Sequence, residues 1–399
     1  CEGIRRTALL SGEFSGVGPC SRPLGTPPQR FDAYCKPLSQ RPGHGLEGGL
    51  FWKPGWSGRR YVYLRCWRPN RRRRPGSARG LERYLEAVVS RPTAPRATYR
   101  LQFNASFTFS DAEALVPYLS GLGISHIYAS PLLKARPESP HGYDIVDHGS
   151  LNPEVGSEDE FRAFIGTLHK AGMGLIMDFV PYHMGVNHSD NSWWLSVLEW
   201  GRASLYAEFF DIDWDPSERS LQGKLLLPVL GRQYGETLHA GELEFRFEPQ
   251  SGTFSVFYYD HRFPITPPSY RQVLTEAVRL EPAAADALGS LRDGFGRLRA
   301  GGRRPRHYGE LLSRSETLKA ELAAHYRGSD AVRSAVDQAV TLFNGRPGDA
   351  KSYDSLHRLL EAQPYRPAYW RVAANEINYR RFFDINDLAA VRMELPEVF

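Results

Sequence analysis

Strand and helix patterns alternate between residues 95 and 180, and this alternation restricts the possible folds more than any other part of the sequence. Thr98–Phe103 alternates apolar and polar side chains, as a half-buried strand does. Ile124–Ser130 is a second strand pattern, and Gly174–Val180 is apolar nearly throughout, as expected for a strand covered on both faces. Strands that alternate with helices pair in parallel, so we predict an α/β fold built from βα units.

Two helix patterns separate these strands, and each begins with a predicted capping box. Ser110 and Glu113 form the first box, and Ser157 and Glu160 form the second. In each box a hydroxyl and a carboxylate accept hydrogen bonds from backbone N–H groups at the start of the helix. The second helix should end at Gly172, because glycine suits the left-handed turn that terminates many helices.

Beyond Asp215 the alternation of strands and helices stops. Glu242–Phe247 and Gly252–Tyr259 are strand patterns close enough in sequence to pair as a hairpin. Residues 271 to about 345 are rich in Ala, Leu, Glu and Arg, which favours helices. We therefore predict four segments, namely a basic extension at 1–94, three strands with their helices at 95–215, an inserted α+β domain after strand 3 at 216–345, and a return segment at 346–399.

The first segment differs in charge from the rest of the chain. Residues 1–80 hold sixteen Lys and Arg against four Asp and Glu, a net charge of +12, whereas the whole chain carries +5. All four cysteines also lie there, at spacings that match no zinc or redox motif. Because a segment dense in Gly, Pro and Arg buries too little surface to offset its ordering entropy, we expect it to be disordered. The alternative, which we do not favour, is an arm whose Trp and Tyr side chains stack on nucleic-acid bases.

No segment indicates a membrane anchor or a secretory route. The sequence lacks the run of roughly 18 apolar residues that a membrane helix needs. Its first residues also lack the charged start and apolar stretch of a signal peptide. We therefore expect a globular protein in the cytoplasm.

Polar residues follow each of the three predicted strands. Asn104–Phe109 follows the first strand, His141–His148 lies in the loop after the second, and Asp178–His183 lies after the third. In parallel α/β folds, ligands bind at the carboxyl ends of the strands, where the loops gather above a rigid sheet. One pocket could therefore collect all three polar clusters.

The residue types in these clusters suit a sugar. Tyr143 offers a flat ring with a polar tip for stacking on a sugar ring, while His141, His183, Asp147 and Asp178 offer donors and acceptors for hydroxyl groups. Each also has a structural interpretation. Asp147 could cap a turn, Asp178 could accept buried backbone N–H groups, and the histidines could be structural. The grouping of three clusters at neighbouring strand ends favours a binding site.

A metal site is the competing interpretation of the histidines. Its candidate ligands are His141, His148, His183, His188 and Asp190. His183 and His188 lie five positions apart without a helical pattern between them, which fits neither a helical pair nor a zinc finger. We therefore predict no metal. The sequence also contains no glycine-rich phosphate loop and no nucleophile elbow.

Six motifs follow one another between about Pro95 and Phe399. They are Ala97–Phe103, His126–Pro131, His141–His148, Asp178–Met184, Asp190–Trp194 and Tyr379–Asp387. In this order they resemble the alpha-amylase family of glycoside hydrolases and transferases. Within that family the chain is similar to enzymes that convert the reducing-end α-1,4 linkage of a malto-oligosaccharide into an α,α-1,1 linkage. The resemblance implies the N-terminal part of a (β/α)8 TIM barrel, with its first three βα units.

The resemblance also implies roles for the site residues. Tyr143 would be the platform under the sugar, and His141 and His183 would donate hydrogen bonds to its hydroxyls. Asp147 and Asp178 would be supporting carboxylates, with Asp178 orienting an arginine of the next strand. Tyr182 stands where the family usually has Asn, so the hydrogen bonding of that loop is expected to differ.

The family's catalytic carboxylates are expected elsewhere. Its nucleophilic Asp, acid/base Glu and third Asp follow the fourth, fifth and seventh barrel strands, and we expect the chain up to Phe399 to stop before the fourth. Asp384 and Asp387 belong to a motif that precedes the nucleophile, so we assign no catalytic residue in this chain. The resemblance implies a malto-oligosaccharide substrate and no cofactor, while protein partners are left open. The alternatives are another α-glucan hydrolase or glucanotransferase, or a carbohydrate-binding protein without activity.

Overall fold

The computed structural model of the chain describes residues 94–188, 190–298 and 308–399. These residues belong to one compact unit. Apart from Ala94, the predicted basic extension and its four cysteines lie outside the described residues. Within the described ranges, no helix is both long enough and apolar enough to cross a bilayer.

Strands and helices follow one another along the whole described chain. The strands are β1 (Thr98–Leu101), β2 (His126–Ala129), β3 (Leu133–Ala135), β4 (Ile145–Leu151), β5 (Gly174–Met177), β6 (His183–Gly185), β7 (Leu225–Leu230), β8 (Glu244–Glu248), β9 (Thr253–Tyr258), β10 (His261–Pro264), β11 (Tyr365–Tyr369), β12 (Arg381–Phe382) and β13 (Ile385–Ala390). The α-helices are α1 (Phe109–Gly121), α2 (Glu158–Lys170), α3 (Ser192–Trp200), α4 (Tyr234–His239), α5 (Tyr270–Leu280), α6 (Ala285–Gly296), α7 (Tyr308–Gly328), α8 (Asp330–Phe343), α9 (Asp354–Glu361) and α10 (Ala373–Glu376).

The first three predicted strands form a parallel sheet. Its order is β1-β2-β5, with α1 between β1 and β2 and α2 between β2 and β5. This arrangement confirms the predicted α/β fold of βα units. Closure into a complete barrel stays a prediction from the resemblance.

The strands are shorter than predicted, and β5 is less covered. Leu175 and Ile176 are half-buried and Met177 is exposed, so the prediction that both faces of this strand are buried was wrong. Among the described residues, β5 is an edge strand that pairs only with β2, so side chains from one neighbouring strand alone flank its faces. Residues 178–180 leave the sheet and form the loop that begins with Asp178.

The predicted N-terminal cap is confirmed for α2 and was wrong for α1. Ser157 and Glu160 form the predicted box at α2, and Gly172 has a φ of +67° just beyond its end. At α1, however, the box is formed by Thr108 and Asp111. Ser110 and Glu113, which were predicted to form it, instead contact α2, because Ser110 donates to Glu160 and Glu113 accepts from Thr167.

A first hydrophobic core lies between the parallel sheet and helices α1 and α2. At its centre the ring of Phe103 lies 5.8 Å from that of Phe109 and 6.1 Å from that of Phe164. All three side chains are fully buried. Since apolar surface removed from water supplies most of the stabilising free energy, this core fixes the strands whose ends carry the polar clusters.

A second and larger core extends from Met184 to Val391. It contains the antiparallel sheet β10-β9-β8, in which β8 and β9 confirm the predicted hairpin, and the predicted helical region forms α5 to α8. The core is continuous across residue 215, and the predicted domain boundaries stay predictions. One further sheet, in the order β12-β13-β6, brings residues 381–390 beside His183.

Candidate functional site

The loop that carries Tyr143 meets the end of β5 at Asp178. The Tyr143 hydroxyl donates a hydrogen bond to Oδ2 of Asp178 over 2.5 Å. The hydroxyl of Tyr128, on β2, donates to the same oxygen over 3.1 Å. Two of the three polar clusters predicted at strand ends are therefore in direct contact.

Arg100 of β1 completes this group. Its Nη2 donates to the Tyr143 hydroxyl over 3.0 Å, and its Nη1 lies 3.4 Å from Oδ2 of Asp178. Its guanidinium carbon lies 4.7 Å from the centre of the Tyr128 ring, within the range of a cation–π contact. We call Arg100, Tyr128, Tyr143 and Asp178 the tyrosine–aspartate cluster.

The sequence patterns did not indicate Arg100 and Tyr128 as site residues. They lie opposite each other in the parallel pairing of β1 and β2. A charged and a polar side chain, each one position before the end of a short strand, were the available signal. The signal becomes specific only when the register of the strands is known.

The Asp178 contact changes the acidity of the tyrosine. The hydrogen bond to Asp178, together with partial burial, raises the pKa of Tyr143 above its usual value. At neutral pH the phenol therefore keeps its proton and donates a hydrogen bond to the carboxylate. The expected role of Asp178 was to orient an arginine of the following strand, whereas the arginine that it contacts among the described residues is Arg100 of β1.

His183 contacts Tyr143 from the other side. The His183 side chain is 3% exposed, and its Nε2–H donates to the backbone oxygen of Tyr143 over 2.9 Å. Burial lowers the pKa of His183, so the ring is neutral at pH 7. Its Nδ1 is buried without a hydrogen-bond partner among the described residues, and the ring packs 4.8 Å from that of Phe382. In this structure His183 supports the Tyr143 backbone. The N–H that was predicted to donate to a sugar hydroxyl donates to this backbone oxygen instead.

His141 is the exposed histidine of the group. Its Nδ1 accepts a hydrogen bond from the backbone N–H of Tyr143 over 3.0 Å. Its ring lies 6.0 Å from the Tyr143 ring, and its side chain faces solvent. The backbone next to it is held from the end of β1, because Asn104 donates to the oxygen of Pro140 over 3.2 Å. The third polar cluster therefore also reaches this loop.

The turn between these residues requires glycine. Gly142 has a φ of +74°, and a Cβ there would lie 2.9 Å from the backbone oxygen of Pro131. Any larger residue here would be destabilising, because of both the left-handed backbone and the close approach. The turn therefore fixes where Tyr143 leaves the backbone.

Asp147 is not part of the tyrosine–aspartate cluster. Its carboxylate accepts from the backbone N–H of Gly149 and from the hydroxyl of Ser150, each over 2.8 Å. These are the contacts of a residue that caps a local turn, which was the structural interpretation considered for it. They are no evidence for the supporting role that the resemblance implies.

The candidate metal ligands do not converge. Among residues 94–188, 190–298 and 308–399, no three His, Cys, Asp or Glu side chains form a group that could hold a metal ion. His148 lies 3.4 Å from the backbone oxygen of Val180, and His188 contacts Arg136. His148 and His188 thus contact different partners.

Exposed apolar side chains adjoin the tyrosine–aspartate cluster in sequence. Met177, Phe179 and Tyr182 are all largely exposed and flank Asp178. The ring of Tyr182 packs edge-on against His183 and lies 6.1 Å from the ring of Phe382. Polar groups beside exposed rings suit a ligand with both hydroxyls and apolar faces, as a sugar has.

Comparison with known proteins finds a family whose description matches part of the chain. Residues 113–241 match the family described as alpha amylase, catalytic domain, and this range contains all five predicted site residues. A putative maltooligosyl trehalose synthase of Mycobacterium tuberculosis is 43% identical over 170 residues, which is 39% of this chain and 22% of that protein. An intracellular maltogenic amylase of Bacillus subtilis is 36% identical over 95 residues, or 24% of this chain and 15% of that protein.

Solved structures match over a larger part of the chain than these relatives do. A crystal structure of a maltooligosyl trehalose synthase is similar over 76% of this chain and 29% of that chain, with 27% identity and a TM-score of 0.50. The resemblance to the alpha-amylase family is therefore confirmed for part of the chain. The chain spans about a fifth of the length of the first curated relatives that it matches.

Proposed function

We propose that this chain, whose residues 113–241 match the alpha-amylase catalytic domain, supplies sugar-binding residues of a maltooligosyl trehalose synthase. Such an enzyme transfers a glucosyl unit within one molecule and turns the reducing-end α-1,4 linkage of a malto-oligosaccharide into an α,α-1,1 linkage, a step of trehalose biosynthesis. The observation that carries the proposal is the tyrosine–aspartate cluster at the carboxyl ends of three parallel strands.

The geometry suggests how the cluster would bind a glucose unit. Asp178 and Arg100 both hold the Tyr143 hydroxyl, and His183 holds its backbone, so the ring is fixed before a ligand arrives. A fixed aromatic ring is a good platform, because little conformational entropy is lost on binding. The exposed His141 beside it would hydrogen-bond a sugar hydroxyl.

The reaction itself needs groups that we do not assign here. Retaining transfer uses two carboxyl groups about 5 to 5.5 Å apart, one as nucleophile and one as acid and base. Asp178 already accepts three hydrogen bonds at one oxygen, which suits a supporting role better than attack on an anomeric carbon. We assign this chain binding and positioning, and no catalytic residue.

Isomerisation also requires that water stays away from the intermediate. The released glucose must turn and attack before water does, which needs an enclosed site. The turn between β9 and β10 is a candidate wall, because His261 at its end contacts the loop that follows β6. The exposed Tyr259 lies at the tip of that turn.

Two experiments test the proposal. Binding of maltopentaose to the 399-residue chain should be measured by isothermal titration, with Tyr143→Ala as the variant expected to lose it. A hybrid in which residues 95–399 replace the matching part of a known maltooligosyl trehalose synthase should then be incubated with maltopentaose.

The products separate the candidate functions. A non-reducing product of unchanged length supports the synthase. Shorter reducing sugars support an amylase-type hydrolase, which the similarity to the maltogenic amylase of Bacillus subtilis keeps as the second candidate. Binding without product would leave a carbohydrate-binding role, and the absence of both would contradict the proposal.

A further inference from the structure

A second group of polar side chains lies beside β6, outside the tyrosine–aspartate cluster. Arg136 directly follows β3, His188 lies in the loop after β6, His261 begins β10, and Asp387 belongs to β13. We call these four residues the imidazole cluster. They come from four separate parts of the chain and meet beside one strand.

The contact of His261 is made with Asn187. The Nδ1–H of His261 donates to the backbone oxygen of Asn187 over 2.5 Å. Asn187 is 2% exposed and has a φ of +72°, a conformation that costs energy in residues other than glycine and is tolerated best by Asn and Asp. On its other side, the amide nitrogen of Asn187 donates to Oδ1 of Asp387 over 3.3 Å. Asn187 is therefore held from both β10 and β13.

His188 and Arg136 extend these contacts towards Tyr143. Arg136 donates to Nε2 of His188, and its Nη1 lies 3.5 Å from Oδ2 of Asp387. The backbone N–H of Arg136 donates over 3.2 Å to the oxygen of Asp144, the residue after Tyr143. The imidazole cluster thus touches both the loop of Tyr143 and the end of the strand that begins with His183.

We infer that His261 is a positioning residue, which fixes the end of β6 through Asn187 and thereby fixes His183 and Tyr143, and that protonation of His188 weakens this link in acid. The inference rests on the proposed function only where it concerns a sugar. The mechanical link from β10 to β6 stands on the contacts themselves.

The charges around the two imidazoles explain the sensitivity to acid. Their rings lie 4.9 Å apart, and Arg136 is a permanent cation beside them. A protonated His188 could no longer accept from Arg136, and its positive charge would lie beside that of the guanidinium. Asp387 and Asp190 are the anions that face the cluster and offset part of this repulsion. Burial, followed by Arg136 and His261, lowers the pKa of His188, which agrees with a neutral ring at pH 7.

The first test measures the link without any sugar. Hydrogen exchange of the Val186 amide, which donates to the oxygen of Asp387, reports on the end of β6. At pH 8, His261→Leu should lower the protection factor of this amide about tenfold, the effect of losing roughly 1.4 kcal/mol. His261→Asn should restore protection, because its amide nitrogen replaces Nδ1, and the exposed His169→Leu serves as the control.

Acid supplies a second measurement that does not depend on folding of the leucine variant. The wild-type protection factor should fall between pH 8 and pH 5, and the double variant His188→Gln/His261→Asn should show a smaller fall. Unchanged protection in a folded His261→Leu chain, or an equal acid response in the double variant, would overturn the inference.

Maltopentaose binding then connects the link with the sugar. His261→Leu should weaken binding about tenfold at pH 8, and His261→Asn should stay within about twofold of the wild type. If exchange changes as expected while no chain binds maltopentaose, the proposed function fails and the positioning role of His261 stands. If the wild type and His261→Leu bind maltopentaose equally well while the protection of their Val186 amides differs, the extension of the link to Tyr143 is wrong.

Discussion

The Oδ2 atom of Asp178 accepts hydrogen bonds from Arg100, Tyr128 and Tyr143 before any ligand is present. A carboxylate used in this way orients its neighbours. Tyr143 contributes two separable properties, the ring face that would carry a sugar and the hydroxyl that holds the ring in place. Substitutions can remove one without the other.

Tyr143→Phe and Tyr143→Ala should therefore differ in their effects on maltopentaose binding. The phenylalanine keeps the ring but loses the bonds to Asp178 and Arg100, so we expect affinity to fall only a few-fold. The alanine also loses the ring, and we expect a loss of about tenfold or more. Isothermal titration checks both values, with the exposed Tyr118→Ala on α1 as the control. Equal losses in the two variants would show that the ring face is not used.

His183 should make the stability of the chain depend on pH. Because burial lowers its folded pKa below the unfolded value of about 6.5, the unfolded state takes up a proton first as the pH falls. Its contribution is complete above about pH 6.5 and is lost as the pH falls towards the folded pKa. The slope from one such group is at most about 1.4 kcal/mol per pH unit.

Urea unfolding at several pH values measures this dependence. His183→Gln should reduce the slope between pH 6.5 and pH 5, although His188, whose pKa is also lowered, keeps part of it. His169→Gln, at the exposed end of α2, should leave the slope unchanged. An unaltered slope in the His183 variant would mean that the buried ring does not titrate as argued.

At the scale of the elements, sequence patterns correctly predicted the features that depend on residues close together in sequence. The cap of α2 at Ser157, the stop at Gly172 and the β8–β9 hairpin all follow from side chains a few positions apart. The cap of α1 was misplaced by two residues, because Thr108 and Ser110 offer the same hydroxyl and only the tertiary contact of Ser110 with α2 decides between them.

Long-range pairing could not be predicted in the same way. β13 pairs with β6 although about 200 residues separate them, and this pairing places Asp387 beside Asn187. Arg100 joins the site only through the register of β1 against β2. The sequence therefore indicated Tyr143, Asp178 and His183, but not Arg100, which contacts both Tyr143 and Asp178.

The turn before Tyr143 provides a test at this scale. Gly142→Ala forces a Cβ into a left-handed backbone and against the oxygen of Pro131, so we expect a loss of about 1 to 3 kcal/mol of unfolding free energy. Gly121→Ala is the matched control, because that glycine ends α1 with open space around it, and alanine should be neutral or slightly stabilising there. Urea denaturation measures both. A Gly142→Ala chain as stable as the wild type would show that the turn can relax.

At the scale of the whole molecule, a buried ion pair joins helices distant in sequence. The ammonium of Lys319 on α7 donates over 2.8 Å to Glu199 on α3 and over 2.7 Å to Glu316. The Lys319 side chain is 5% exposed and that of Glu199 16%. Burial alone would lower the pKa of Lys319, but the carboxylates beside it raise that pKa, so the pair stays charged. The pair connects α3, which follows the strand of His183, with the predicted insertion.

Removing one partner of this pair should destabilise the chain more than removing both. Lys319→Met leaves Glu199 buried without its cation, and we expect a loss of about 3 to 5 kcal/mol of unfolding free energy. Lys319→Met/Glu199→Leu removes the stranded charge as well, so part of the loss should be recovered. Arg162→Met, in the exposed pair with Glu158, should cost less than about 1 kcal/mol. Urea midpoints followed by tryptophan fluorescence give all three values. If the double variant were as unstable as the single one, the shape of the lysine side chain would matter more than its charge. The ion pair would then not be what holds α7 against α3.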